Sequence, residues 1–238
     1  METARSLIKW LICAGFALPF ASALSSPAYG QFAGSIALSS NEMFRGETIS
    51  ANDPALSLSL SLDDESGLFA GVAASVAAGN SDPRMTYASQ YAGYAKRFGE
   101  TSVEAGIIHR TYERVVDTEY RKDFVEIYAG VTHKSLKARF FVSPNYRRDK
   151  RASYYGEINA RLIGFHQWSL DGHAGISLQP GHQGSGTNLK MQTYRDWRLQ
   201  ISRPVGKLFL SGGVAATNYP VYSPIGKARI FASASYAF

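Results

Sequence analysis

Period-two alternation restricts the fold of this chain more than any other feature. Its clearest instance is Leu56, Leu58, Leu60 and Leu62, with Ser57, Ser59 and Ser61 between them. Successive strand residues point to opposite faces, so one face of this stretch is apolar and the other carries only hydroxyls. The pattern recurs about a dozen times after residue 34, and no stretch carries a sustained helical spacing. It ends with KARIFASASYAF, residues 227–238. There Ala228, Ile230, Ala232, Ala234, Tyr236 and Phe238 share one face, while Lys227, Arg229, Ser233 and Ser235 fall on the other. The predicted class is all-β.

The links between these strands alternate in length. Those at 63–67, 99–101, 134–135, 163–166 and 204–207 are short, whereas 45–53, 79–84, 113–122, 144–151, 179–190 and 218–226 are longer and more polar. A transmembrane antiparallel up-and-down β-barrel of about 12 strands requires such asymmetry, with short periplasmic turns and longer extracellular loops. Closure also satisfies the sheet edges that hydrocarbon would otherwise leave unpaired. A small soluble barrel would fill its interior with apolar side chains, which leaves the recurring charges opposite each apolar face unexplained.

The N-terminus fits export. Arg5 and Lys9 flank the start of an apolar run from Trp10 to Ala23, and small residues follow. Residues 1–30 are predicted to be a signal peptide, cut after Ala23 or after Gly30, which leaves 31–238 as one barrel domain. The run is too short to span a bilayer comfortably as a helix, and no later run replaces it. Cys13 is the only cysteine, so the mature chain has neither a disulfide framework nor a thiolate site. Removing Arg5, Lys9 and Glu2 leaves 23 cations against 18 acids, an excess too mild and scattered for nucleic-acid binding.

With the strands placed, residues 34–62 are informative as a motif. The run SIALSSNEMFRGETISANDPALSLSLSL resembles the opening of the TorF-type porin family of bacterial outer-membrane barrels. The resemblance rests on the Phe44-Arg45-Gly46 step, the Pro54-Ala55 pair, the strand DFVEIYAGV and the terminal Phe238. It implies a porin-like barrel in the outer membrane of a Gram-negative cell. Tyr236 and Phe238 would then carry the signal read by the barrel-assembly machinery.

If the apolar faces meet lipid, the opposite faces line the lumen. The predicted pore-lining acids are Glu104, Glu126, Glu157, Asp171 and Asp196, together with His173. The cations are Lys137, Arg139, Arg161, Arg198, Lys227 and Arg229. These side chains would either line a narrow aqueous path for ions or small polar solutes, or brace a plugged interior. Twelve strands lie between barrels filled by side chains and barrels with wide channels. A slight cation excess, with Arg147, Arg148, Lys150 and Arg151 at one mouth, leans toward anions. Those loop cations could equally contact lipopolysaccharide phosphates. A barrel-borne hydrolase is the remaining reading: Asp171 and His173 lie about 7 Å apart on one strand face, but no nucleophile motif accompanies them. No cofactor or metal site is expected. Phe98, Phe165, Trp168 and Phe238 should form an aromatic girdle at the short-turn end, and Tyr112, Tyr120, Tyr146 and Tyr154 fall near the long loops.

Overall fold

The computed structural model describes residues 31–79, 83–112, 123–146, 151–180, 191–218 and 228–238. The predicted signal peptide, Lys227, Arg147, Arg148, Lys150, Tyr120 and most of the four longest loops lie outside the described residues. The strands are β1 (Gln31–Ser39), β2 (Met43–Phe44), β3 (Glu47–Thr48), β4 (Ala55–Asp63), β5 (Leu68–Ala77), β6 (Arg84–Phe98) and β7 (Thr101–Tyr112). They continue with β8 (Asp123–His133), β9 (Leu136–Ser143), β10 (Ser153–Phe165), β11 (Trp168–Pro180), β12 (Met191–Val205), β13 (Leu208–Thr217) and β14 (Arg229–Ala237). Twelve of them close into one antiparallel barrel in which each strand pairs with its sequence neighbour, and β1 pairs with β14. The remaining two, β2 and β3, form a separate hairpin.

Alternation assigns the two faces. Val103, Ala105 and Ile107 of β7 point outward, and Ile107 is 49% exposed, while Glu104, Ile108 and Arg110 are buried inside. An exterior of exposed Leu, Ile, Val and Phe on every barrel strand is a surface that hydrocarbon covers and water does not. Two bulges set the facing where the sequence pattern blurred. One at Thr86 turns both Thr86 and Tyr87 inward and places Met85 and Tyr94 outside. The other, after Arg161, leaves Leu162 and Ile163 exposed together.

Four of the five short turns are two residues long: 99–100, 134–135, 166–167 and 206–207. Their first residues, Gly99, Lys134, His166 and Gly206, all have positive φ, as primed hairpins require. Phe98, Phe165, Trp168 and Phe238 form an outward girdle at this end, joined by Phe32 and Tyr236. At the other end, of the predicted tyrosines among the described residues, Tyr154 faces outward, while Tyr112 and Tyr146 pack inside with Tyr87 and Phe124.

Inward glycines receive the rings of neighbouring strands. The Tyr91 ring lies over Gly71, Phe69 over Gly93, Tyr128 over Gly106 and Phe231 over Gly213, each where a Cβ would stand. On the outer face the Phe238 ring covers Gly34, and the two backbones exchange hydrogen bonds of 2.8 and 2.9 Å. The last residue therefore ties the ends of the ring together. Gly34→Val should displace that ring and reduce the heat-modifiable, folded fraction on an unboiled gel; an unchanged fraction would mean that the contact is incidental. Ile107→Arg, at the middle of an outward face, should cost about 2–4 kcal/mol in a denaturant titration of the lipid-embedded barrel.

Candidate functional site: a strap across the lumen

Residues 40–54 were expected to begin as strand and continue as a polar outer link. Instead β1 stops at Ser39, and the segment turns into the barrel as a strap built on the β2–β3 hairpin. Ser50 is fully buried and Asn41, Glu42 and Met43 nearly so. Internal hydrogen bonds shape the strap: Thr48 Oγ1 donates to Asn41 Oδ1 (2.6 Å), and the Glu42 amide donates to Ser50 Oγ (3.0 Å). Arg45 and Gly46 form the hairpin tip with φ of 49° and 76°. Gly46 is required twice over, because a Cβ there would strike the Ala216 carbonyl of β13.

The tip spans the lumen. Gly46 rests on β13, while the Arg45 guanidinium reaches β8, five strands away round the ring of twelve. There Arg45 Nη2 meets Glu126 Oε1 at 2.7 Å, and Arg110 Nε holds the other carboxylate oxygen at 3.1 Å. Glu126 is 1% exposed, so both guanidiniums are needed to hold its charge. The Arg45 head also lies 3.8 Å from the Tyr155 ring centroid of β10 and 5.5 Å from that of Phe141 on β9. Phe44 packs on Tyr112, and Met43 on Ala215 and Phe231. On the near side the buried Glu42 carboxylate accepts hydroxyl hydrogen bonds from Ser57 (2.9 Å), Ser75 and Thr86 (3.2 Å). Arg84 donates to the Ser50 carbonyl and to Asp53, and Arg229 donates to Asn52 (2.6 Å).

The structure places every described member of the predicted pore-lining set on an inward-facing strand position. They sort into separate groups. Glu104 pairs with Lys137 (3.0 Å) and Arg139 (2.6 Å), and Glu126 serves the strap. His173 bridges Asp196 (2.7 Å) and Asn159 (2.8 Å), and Asn159 also donates to Glu157 (3.3 Å). Arg161 pairs with Asp171 at 3.3 Å. Asp171 and His173 thus have different partners, and the acid–base couple suggested by their spacing does not form. Arg198 faces inward without a hydrogen bond or ion pair among the described residues.

Sequence reading missed Glu42, Arg45, Arg110 and Ile108. Ile108 is an apolar side chain inside, packed on Tyr128, Phe141 and Tyr155, while its neighbour His109 points outward to Asp123. That inversion of residue type interrupts the apolar-out, polar-in alternation of β7. The Phe44-Arg45-Gly46 step was visible, and its positive-φ glycine was the available signal for a tight turn.

A closed antiparallel barrel with an apolar exterior, a charged interior and a loop folded into it has the architecture of outer-membrane channels. The chain belongs to the family described as "Bacterial protein of unknown function (Gcw_chp)", matched over residues 22–226. No curated protein matches it in sequence. Among solved structures it is similar to the KdgM porin in complex with disordered oligogalacturonate, at 11% identity and a TM-score of 0.52, covering 87% of this chain and 99% of that one. It is also similar to an outer-membrane channel from Pseudomonas putida F1 (12%, 0.50, covering 90% and 97%) and to the NanC porin (7%, 0.51, covering 87% and 99%). At these identities the likeness carries the fold alone. All three neighbours are porins or channels and none is an enzyme.

The tip contact makes a combined-variant test possible. Arg45→Ala alone leaves part of the Glu126 charge buried without its partner and should cost about 3–5 kcal/mol of strap docking or barrel stability. Arg45→Met with Arg110→Met and Glu126→Leu removes all three buried charges and should cost less, as measured by the thermal transition in detergent.

Proposed function

We propose that this protein is a porin of the bacterial outer membrane, a passive path for ions and small polar solutes that is narrowed by the strap. The supporting observation is the polar interior. Inward faces of β7–β12 carry paired charges, and those of β1, β4 and β14 carry Ser35, Ser57, Ser59, Ser61, Ser233 and Ser235. A barrel that served only as a scaffold would have no need of so many hydroxyls and charges on its inner wall. The porin neighbours and the sequence resemblance to TorF-type porins point the same way. In this reading lipid and lipopolysaccharide surround the barrel, ions or small solutes pass through it, and Phe238 with Tyr236 presents the closing strand to the assembly machinery.

One observation favours a second reading, a non-conducting barrel that acts structurally or through its loops. The strap buries its own side chains against both sides of the lumen. A planar-bilayer recording separates the two. The native protein should give small, discrete current steps, and replacing residues 41–52 with a short Gly-Ser link should raise the step size several-fold. A folded barrel that is silent in both forms would establish the non-conducting reading.

A further inference from the structure

The strap is anchored at its tip and at its root by carboxylates in opposite circumstances. At the tip, Glu126 faces two guanidiniums. At the root, Glu42 is 4% exposed and meets hydroxyls: Ser57 of β4 (2.9 Å), Ser75 of β5 and Thr86 of β6 (3.2 Å). Among the described residues no cation pairs with it. From β6 the Tyr87 phenol also faces it, and Arg84 is already bound to Asp53 (2.6 Å) and to the Ser50 carbonyl (2.8 Å). On the strap itself Arg45 is held at the far wall by Glu126, and Glu47 stands across the hairpin from Phe44.

Burial raises the Glu42 carboxyl above its ordinary value, against the lowering effect of the three hydroxyls. Glu42 belongs to the strap, not to a membrane-spanning strand. The hydroxyls can serve the neutral acid as well. Its O–H then donates to one of their oxygens, and Thr86 turns its own hydrogen to the Ser75 carbonyl at 3.2 Å.

The docked strap also holds costs that release would relieve. Of the described non-glycine residues with positive φ, Lys134 and His166 sit in hairpin turns, while Arg45, Ala51 and Asn52 belong to the strap. Ala51, at 59°, is in a left-handed conformation that alanine disfavours. At the strap's contacts, Arg45 Nε, Arg84 Nε and the Tyr112 hydroxyl are buried without a hydrogen-bond partner, which water would supply. These costs subtract from docking, so the state of one anchor shifts the balance.

We propose that the strap is a pH-operated gate, lying across the lumen while Glu42 is protonated and leaving the β4–β6 wall when Glu42 ionises. Docked, Glu42 holds its proton more tightly than when water reaches it. Docking is therefore strongest in acid and weakens as the pH rises through the raised value. The switch stands apart from conduction; its effect on current rests on the porin reading.

The test reads strap release directly. Cys13, the only cysteine, falls in the predicted signal peptide, so the mature chain carries no thiol of its own. Met43→Cys, buried against Ala215 and Phe231, should react with a water-soluble maleimide when the strap leaves. Its rate is taken relative to that of Ser135→Cys, in an exposed turn. With Glu42 in place the ratio should rise several-fold from about pH 5 to about pH 8. Glu42→Gln should hold it low and flat, and Ser57→Lys, which supplies the missing cation, should keep it low at the higher pH. Heat-modifiable mobility on a gel checks that each variant folds. A ratio that stays flat with Glu42 in place, or rises equally in Glu42→Gln barrels, would overturn the inference. Bilayer recordings at the same two pH values separate the readings. Current steps that grow with the ratio support both. Steps that stay constant while the ratio rises would overturn the gating of current. A silent barrel whose ratio rises would overturn the porin reading and leave the switch standing.

Discussion

A strand in hydrocarbon must find partners for its whole backbone within the chain, and only a closed ring does this. Every other property of this protein follows from that constraint. Closure joins β1 to β14, so the first and last strands of the barrel become neighbours and Phe238 can lie across Gly34. Closure also creates an inside, which no water-filled groove on an open sheet could provide. The lipid-facing side then demands apolar residues at every second position, and the alternate positions are left to carry charge, hydroxyls and aromatic rings.

Within that enclosure the interior is organised round one carboxylate. Glu126 holds Arg110 from the neighbouring β7 and Arg45 from the strap, and Arg45 in turn stacks on Tyr155. The rings of Tyr128, Phe141 and Tyr155 form a packed cluster with Ile108, beside a second inward cluster of Tyr87, Tyr112 and Phe124. Those rings fit because glycines on the adjacent strands leave room for them. The interior is thus divided. One side is a side-chain core that anchors the strap, and the other is lined by small residues and by the groups of β11 and β12.

Much of this was legible in the chain. Leu56 to Leu62 with their intervening serines gave the facing of β4 directly, and the lengths of the links gave the up-and-down order. Acidic and basic residues opposite apolar ones, such as Glu104 beside Val103 and Ala105, gave the inward faces. What stayed hidden depended on distance through space. Nothing local distinguishes a loop that folds into the lumen from one that extends into solvent, because Glu42 and Arg45 acquire their partners from strands far away in sequence. The bulge at Thr86 was hidden for a similar reason, since a single extra residue shifts the facing of a strand whose two sides both carry Tyr and Ala. Spacing along a strand also misled at Asp171 and His173, whose partners come from adjacent strands.

The ring is also mechanically uneven. Between β6 and β7 twelve residue pairs are in register, but between β1 and β14 only five. Rings seated on glycines cross-brace β5 through β8, while β1 and β14 are joined by a short ladder of backbone hydrogen bonds and by the Phe238 ring over Gly34. Elastic strain on the cylinder, from bilayer thickness or lateral pressure, will concentrate at that thin joint. The seam where the barrel was sewn shut is its most thinly paired joint, and the braced wall lies beside the strap.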